Sequence, residues 1–239
     1  MAFLFVHDDR EYLLSPGETL ESDLGILEVP ADVSAGDTVE THLGTAFEVR
    51  KLRGPDLFHH FERTGAPMMP RDIGLVLGHT GIASGDRVLD AGTGTGVLTA
   101  AMARAGATVV TYEQKSEFAA VARENMALGG VADRVTVRTG DVTDDLATLS
   151  AFDVVTLDTA DAPEVVAETP RLLVSGGFVA VYSPFVEHAR DVVETARDAG
   201  LTDIRTFETI QRRMDFDERG SRPSTAGVGH TGYLTFARQ

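Results

Sequence analysis

The sequence predicts an α/β fold with a largely parallel sheet, helices on both faces and a small β-rich domain before it. From about residue 70 onward, short apolar runs with strand character alternate with segments of helical spacing. Three alternating glycines join one of these strands directly to a helix start. Residues 1 to about 60, in contrast, contain only short β-like runs separated by turn signals. We therefore predict two domains, residues 1–62 and 63–239.

The first domain has the pattern of a small antiparallel sheet or barrel. Its β-like runs are residues 3–6, 11–14, 25–29, 38–43 and 46–50. Turn signals such as Pro16-Gly17 separate them. Fold does not imply function, so a packing role and a functional role both remain open for this domain. Residues 57–71 are predicted to link the two domains. The adjacent His59 and His60 would point in different directions on any regular element, so their spacing does not indicate a metal pair, and we expect solvated side chains.

The second domain is predicted to alternate strands and helices. The strands are expected at about 87–90, 108–113, 135–139, 152–157, 177–182, 203–210 and 232–237. The helices are expected at about 72–79, 96–104, 116–128, 163–173 and 186–199. Residues 211–223 form a long polar stretch with four arginines, and we predict a functional or mobile loop there.

The glycine run predicts a nucleotide-type site. Glycines allow positive φ, and without a Cβ they let a ligand lie against the backbone beside the N–H groups of a helix start. Any strand-turn-helix unit can carry glycines, so the run alone is a weak signal. The predicted binding residues here are Gly92, Thr93, Gly94, Thr95, Gly96 and Val97.

Acidic residues follow two neighbouring strands. Glu113 ends the second predicted strand, where a carboxylate can accept both hydroxyls of a ribose. Asp141 and Val142 follow the third strand, where an adenine amino group could be held. Asp90 precedes the glycines, and a carboxylate there suits an ammonium group better than a pyrophosphate. Val97 also stands where a dinucleotide fingerprint has its last glycine or alanine.

Taken together, these residues resemble the class I S-adenosylmethionine-dependent methyltransferases. The Asp-x-Gly-x-Gly-x-Gly run from Asp90 to Gly96, the acid Glu113 and the acid Asp141 match the pattern of that family. The resemblance implies a Rossmann-like sheet of seven strands with the last one antiparallel, and S-adenosylmethionine as cofactor.

Asp158 is the predicted catalytic residue. It follows the fourth strand, at the edge where open α/β sheets bind ligands. Methylation of an adenine ring nitrogen moves positive charge onto the base, and a fixed carboxylate stabilises that charge as it develops. The same group could accept a hydrogen bond from the exocyclic amine and act as a proton acceptor. Alternatively, Asp158 caps the following turn or helix. No metal is needed for this chemistry.

A narrower resemblance is to the tRNA (adenine-N1)-methyltransferases, especially the archaeal members that act on T-loop adenosines 57 and 58. The segments that carry it are Met69-Pro70-Arg71-Asp72, the glycine run, Tyr112-Glu113, residues 155–158, residues 176–184, Arg222-Pro223 and residues 230–238. The resemblance places Asp158 at the target base and the methionine end of the cofactor. It also implies tRNA as partner and a homotetramer. Met69 replaces the aromatic residue of relatives, although methionine can still pack on a base.

Four residues are candidate contacts for the substrate on this basis. They are Met69, Tyr182, Arg222 and His230. Tyr182 and His230 could equally be ordinary residues at a strand end and a strand start.

The charge balance indicates an unusual environment. The net charge is −16 with only two lysines. We favour adaptation to a cytoplasm of very high salt, where repulsion among carboxylates is screened, over an ordinary acidic protein. The chain has no cysteine, no apolar run of membrane-spanning length and no basic leader at its start, so we expect a soluble cytoplasmic protein.

Two other functions are left open by the residues. A methyltransferase of the same fold acting on a small molecule, such as a corrin precursor, would explain the negative charge more easily, because an acidic protein is a poor default binder of nucleic acid. In a tRNA enzyme, arginines would have to form local basic surfaces. A noncatalytic cofactor-binding subunit is the other alternative, and the intact glycine run and Asp158 argue against it.

Overall fold

The structure is a computed structural model that describes residues 2–227 and 229–239. The N-terminal part contains a four-stranded antiparallel sheet of order β2-β1-β6-β5 and a separate hairpin of β3 and β4. The strands are β1 (Phe3–His7), β2 (Arg10–Leu14), β3 (Thr19–Ser22), β4 (Gly25–Glu28), β5 (Thr38–Glu40) and β6 (Ala46–Arg50). Alternating residues face inward, and the side chains of Phe5, Leu27, Phe47 and Val49 form a core of their own.

Two features of this region differ from prediction. β3 was missed because its residues, Thr-Leu-Glu-Ser, offer only one large apolar side chain, and the strand exists through its pairing with β4. The predicted run 38–43 ends at Glu40 because Thr41 begins a tight turn, in which its N–H binds the Thr45 carbonyl and its carbonyl accepts from Gly44.

A helix that was not predicted, α1 (Gly54–His60), overlaps the start of the predicted linker 57–71. It begins with Pro55 in its first turn, and the Asp56 carboxylate accepts from the Arg53 N–H at 2.6 Å. Leu57 lies in an apolar cluster with residues of the α/β domain. His60 is not simply solvated, because its Nε2 lies 3.0 Å from Glu11, whereas His59 is exposed as expected.

The second part is a seven-stranded sheet of order β12-β15-β11-β10-β7-β8-β9. Its strands are β7 (Arg87–Ala91), β8 (Thr108–Glu113), β9 (Val135–Thr139), β10 (Phe152–Leu157), β11 (Leu173–Ser183), β12 (Thr202–Glu208) and β15 (Tyr233–Arg238). The strands from β11 to β9 pair in parallel, whereas β15 is antiparallel to both β11 and β12. The predicted α/β sheet with a reversed last strand is therefore confirmed.

Helices cover both faces of this sheet. They are α2 (Pro70–Thr80), α3 (Val97–Ala105), α4 (Ser116–Leu128), α5 (Val142–Asp145), α6 (Ala162–Leu172) and α7 (Val186–Asp198). Successive residues of a strand point to opposite faces, so Val88 packs with Met102 and Met126 while Leu89 packs with Val165 and Val192. Both faces of the sheet are thus covered, and ligands can reach it at the carboxyl ends of its parallel strands.

The predicted loop 211–223 contains a hairpin, formed by β13 (Met214–Asp217) and β14 (Gly220–Pro223). It was missed because its strands are polar and short, and they pair with each other rather than with the main sheet. In the described part of the chain, no helix is both long and apolar enough to cross a membrane.

Candidate functional site

A cavity of about 280 Å³ opens at the carboxyl ends of the parallel strands. Four strands contribute to its wall: Ala91 ends β7, Glu113 ends β8, Asp141 follows β9 and Asp158 follows β10. Carboxyl ends of parallel strands meet at one edge, so residues far apart in sequence come together. A smaller adjoining cavity of about 40 Å³ is lined by Asp90, Asp158 and the glycine turn.

Each of the three glycines in the turn has positive φ, but the atoms that a Cβ would meet differ from one glycine to the next. A Cβ on Gly92 (φ 90°) would lie 2.1 Å from the carbonyl oxygen of Asp158. A Cβ on Gly96 (φ 83°) would lie 2.6 Å from the Met126 methyl group. At Gly94 (φ 52°), however, no atom lies closer than 3.9 Å, although the residue lines both cavities. The protein itself therefore does not fill the space above Gly94.

Glu113 ties the glycine turn to the end of β8. Its Oε2 accepts from the Gly94 N–H at 2.9 Å, and its Oε1 accepts from the Lys115 N–H at 3.1 Å. Each carboxylate oxygen can accept two hydrogen bonds, so capacity remains on the cavity side.

Asp141 is fixed as an anion on the same wall. Its Oδ1 accepts from the backbone N–H and the hydroxyl of Thr143, at 2.8 and 2.7 Å, and its Oδ2 accepts from the Gln114 amide at 2.8 Å. These bonds, led by that from the Thr143 N–H, lower the pKa of Asp141. The neighbouring Val142 is buried and also lines the cavity.

Asp90 lies deeper than the other acids. Three hydroxyls donate to its carboxylate, from Thr156 at 2.6 Å, Thr111 at 2.7 Å and Thr99 at 2.8 Å. Burial raises the pKa of Asp90, and the three hydroxyl groups oppose that shift. Asp90 therefore joins β7, β8, β10 and α3 beneath the turn, and its predicted contact with a ligand would be through the smaller cavity.

Asp158 lines both cavities. Its backbone N–H donates to the Ala91 carbonyl at 2.8 Å. Within the described residues, no hydrogen bond to its side chain contributes to the pKa of Asp158. By its accessible surface, Asp158 is exposed to solvent where it lines the two cavities. The protein that surrounds the cavity still removes part of the hydration of its carboxylate, and this desolvation, together with the charge of Asp90, raises the pKa of Asp158 to about 7. The alternative that Asp158 caps the next helix is wrong, since α6 begins after Asp161.

A hydrogen-bonded group centred on Tyr182 lies within range of the charge on Asp158. Its phenol donates to the Thr231 carbonyl at 2.7 Å, and burial and the charge on Asp158 raise the pKa of Tyr182. The Thr231 hydroxyl in turn donates to the buried Asp72 at 2.8 Å and accepts from Arg71 Nη2 at 3.1 Å. The start of α2 and the chain just before β15 are thereby joined beside Asp158.

None of the four predicted substrate residues lines either of these cavities. Met69 precedes α2 and lines a separate cleft. Arg222 lies on the exposed hairpin strand β14, and His230 Nδ1 lies 2.9 Å from Glu208. Of the four, Tyr182 is the one whose pKa is raised in part by the charge on Asp158.

Several residues of the cavity were missed by the sequence analysis. The segment Thr64, Gly65 and Ala66 forms one wall, and Gln114, Lys115 and Phe118 form another. The Lys115 ammonium lies 4.5 Å from the centre of the Phe118 ring. Their position directly after the strand that ends at Glu113 was a signal that could have found the second group. Within residues 2–227 and 229–239, no three acidic or histidine side chains are arranged to hold a metal ion.

The chain is similar to known proteins over most of its length. The family model of the tRNA methyltransferase complex GCD14 subunit matches residues 61–221. The tRNA (adenine(57)-N(1)/adenine(58)-N(1))-methyltransferase TrmI of Methanocaldococcus jannaschii is 32% identical, covering 99% of this chain and 95% of that protein. The tRNA (adenine(58)-N(1))-methyltransferase TrmI of Thermus thermophilus is 27% identical, covering 96% and 93%.

Solved structures share the fold. A SAM-dependent O-methyltransferase from Thermotoga maritima superposes with a TM-score of 0.81 at 24% identity, covering 100% of this chain and 92% of that one. The tRNA (m1A58) methyltransferase TrmI from Aquifex aeolicus gives 0.76 at 22% identity, covering 100% and 96%. At these identities the structural likeness supports the fold alone.

Proposed function

Because the chain belongs to the family of the tRNA methyltransferase complex GCD14 subunit, we propose that it transfers a methyl group from S-adenosylmethionine to N1 of an adenosine in tRNA. The target adenosines are those at positions 57 and 58, as in the name of the Methanocaldococcus jannaschii relative, and the resemblance of the sequence implies that they lie in the T-loop. The observation that carries the proposal is the position of Asp158, which lines both the cavity with Glu113 and Asp141 and the smaller one beside it.

The larger cavity fits the nucleoside end of the cofactor. Glu113 retains acceptor capacity for ribose hydroxyls, and Asp141, with its lowered pKa, can accept from an adenine amino group. The open space above Gly94 lets a ligand lie against the backbone. The acids Asp90 and Asp158 give the methionine end of the site a negative potential suited to a cation.

S-adenosylmethionine, when bound, supplies a methyl group on a positively charged sulfur. As adenosine N1 is alkylated, positive charge appears on the adenine ring, and ionised Asp158 beside the ring is attracted to it more strongly than to the neutral base. Its carboxylate can also accept a hydrogen bond from the exocyclic amine. Tyr182, whose phenol donates to the Thr231 carbonyl, lies within range of the charge on Asp158 and would contact the substrate.

The two alternatives are less well supported. Precorrin-modifying enzymes, such as the precorrin 8W decarboxylase of Methanobacterium thermoautotrophicum, share the fold with a TM-score of 0.65 at 21% identity but cover 74% of this chain. The full-length sequence relatives are tRNA enzymes. A noncatalytic subunit would not need Asp158 at the junction of the two cavities.

We extend the proposal to assembly and environment. The resemblance implies a homotetramer, which light scattering on the purified protein would test. The net charge of −16 supports function in a cytoplasm of high salt.

The direct test incubates the protein with labelled S-adenosylmethionine and unmodified tRNA at low and at high KCl, followed by mapping of the methylated nucleoside. We expect 1-methyladenosine in the T-loop. A tRNA with guanosine at positions 57 and 58 is the matched control and should remain unlabelled. Methylation of a small metabolite with tRNA untouched would overturn the proposal.

A further inference from the structure

A large hollow lies beside the site, separate from both cavities at Asp158. We name it the arginine cleft: it has a volume of about 690 Å³, and Met69, Arg71, Arg212, Arg213 and Asp215 are in its wall. Its far side is the chain that leads into and out of the β13–β14 hairpin, so residues from two distant parts of the sequence form it.

One stretch of chain connects the arginine cleft to the site. Thr64 to Ala66 line the larger cavity, Ala66 to Met68 line the smaller one together with Asp158, and Met69 and Arg71 line the cleft. A polymer whose base reaches Asp158 would therefore have its backbone at or near the cleft.

The charge of the cleft is opposite to that of the molecule. The whole chain carries −16, yet three arginines and one aspartate line this hollow. Arg71 lies beside the buried Asp72, with Nε 3.7 Å from Oδ1, so its charge is partly offset. Arg212 and Arg213 are exposed, and neither forms an ion pair with a described residue.

We propose that Arg212 and Arg213 bind the phosphates of the RNA strand on either side of the target adenosine. This proposal rests on the proposed function and names the surface that it requires. A guanidinium presents several N–H donors in a plane and binds phosphate oxygens in pairs. Base contacts at Asp158 select the atom that is methylated, whereas phosphate contacts fix the position of the strand.

The test compares the double variant Arg212→Ala/Arg213→Ala with wild type over a series of KCl concentrations. Binding to phosphates releases counterions, so each lost contact reduces the salt dependence of RNA affinity by about one unit of log K per log of salt. We expect KM for tRNA to rise about tenfold at low salt. The slope of log K for RNA against log salt concentration should decrease in magnitude by about two. Binding of S-adenosylmethionine, measured by calorimetry without RNA, should not change, because neither residue lines the donor cavities.

The control is Arg190→Ala/Arg197→Ala on α7, which removes two arginines that line no cavity described above and keeps the same net charge as the test variant. We expect wild-type KM and slope from it. An unchanged KM and slope in the cleft variant would overturn the proposal, as would an equal effect of both variants. A changed oligomeric state with an unchanged slope would overturn it in favour of a second copy of this chain as occupant. Wild-type protein that methylates no tRNA would instead overturn the proposed function.

Discussion

The carbonyl oxygen of Asp158 lies 2.1 Å from the position that a Cβ on Gly92 would occupy. The ends of β7 and β10 are also joined here, by the hydrogen bond from the Asp158 N–H to the Ala91 carbonyl. The glycine turn and the proposed catalytic residue are therefore one packed unit, and a change in the turn moves the carboxylate directly.

We expect Gly92→Ala to destabilise the protein and abolish methyl transfer. The methyl group would collide with backbone, which cannot move aside as a flexible side chain can, and φ of 90° is unfavourable for alanine. Gly94→Ala is the matched control, since it has positive φ but no close atom. It should lower the melting temperature less while weakening cofactor binding. Equal melting temperatures for Gly92→Ala and wild type would contradict this interpretation.

The sequence predicted the α/β domain well because its signals are local. Val88 and Leu89 point to opposite faces of the sheet and both faces are buried, so the strand is a continuous apolar run in the sequence. Glu113, Asp141 and Asp158 stand at the ends of their strands or just after them. Nothing local marks Thr99, Thr111 and Thr156 as partners of Asp90, because that cluster exists only once three strands and a helix are assembled. The wall at Thr64 was missed for the same reason, whereas the β13–β14 hairpin was missed because its strands are short and polar.

Asp158→Asn should lower kcat by about 10²- to 10³-fold, the usual effect of removing one group that stabilises charge in a transition state. The variant should still bind tRNA. Asp153→Asn, at the opposite end of the same strand, keeps an acceptor for the Arg87 N–H and should have wild-type kcat. Near-wild-type turnover by Asp158→Asn would remove this residue from the mechanism.

The pKa of about 7 for Asp158 predicts a pH-dependent rate. The ionised form is needed and predominates above this value, so kcat/KM for S-adenosylmethionine should rise with pH through about 7 and then level off. A bound cation favours the ionised form, so the corresponding rise of kcat with pH should occur at lower pH. The rate of the Asp158→Asn variant should not rise with pH in this range. A wild-type profile that is flat between pH 5.5 and 9 would contradict the assignment.

The same pKa predicts how stability changes with pH. The folded protein holds the Asp158 proton more tightly than the unfolded chain, whose pKa is near 3.8, so its contribution to stability is present at low pH and is lost as pH rises toward 7. Asp158→Asn should therefore melt at a higher temperature than wild type at pH 8, without ligands. Scanning calorimetry measures this, and a lower melting temperature would indicate that the carboxylate has a structural partner.

Salt should stabilise the protein if repulsion among its carboxylates is large. Raising KCl from 0.1 M to 1 M shortens the Debye length from about 10 Å to about 3 Å, which screens the net charge of −16. We expect a higher melting temperature at pH 7 and a much smaller effect near the isoelectric point of about 4.7. An equal effect at both pH values would point to a general salting-out contribution instead.

The Thr231 hydroxyl should control the position of Tyr182 beside Asp158. Thr231→Val keeps the shape but removes the donor to buried Asp72 and the acceptor for Arg71, at a cost of about 1 to 3 kcal/mol in the free energy of unfolding. The segment that accepts the Tyr182 hydrogen bond would then shift, so we expect lower kcat and higher KM for tRNA with an unchanged KM for S-adenosylmethionine. Thr231→Ser retains the hydroxyl and should restore both parameters. If the valine variant loses stability but keeps wild-type kinetics, the network only supports the fold and does not position Tyr182 for the reaction.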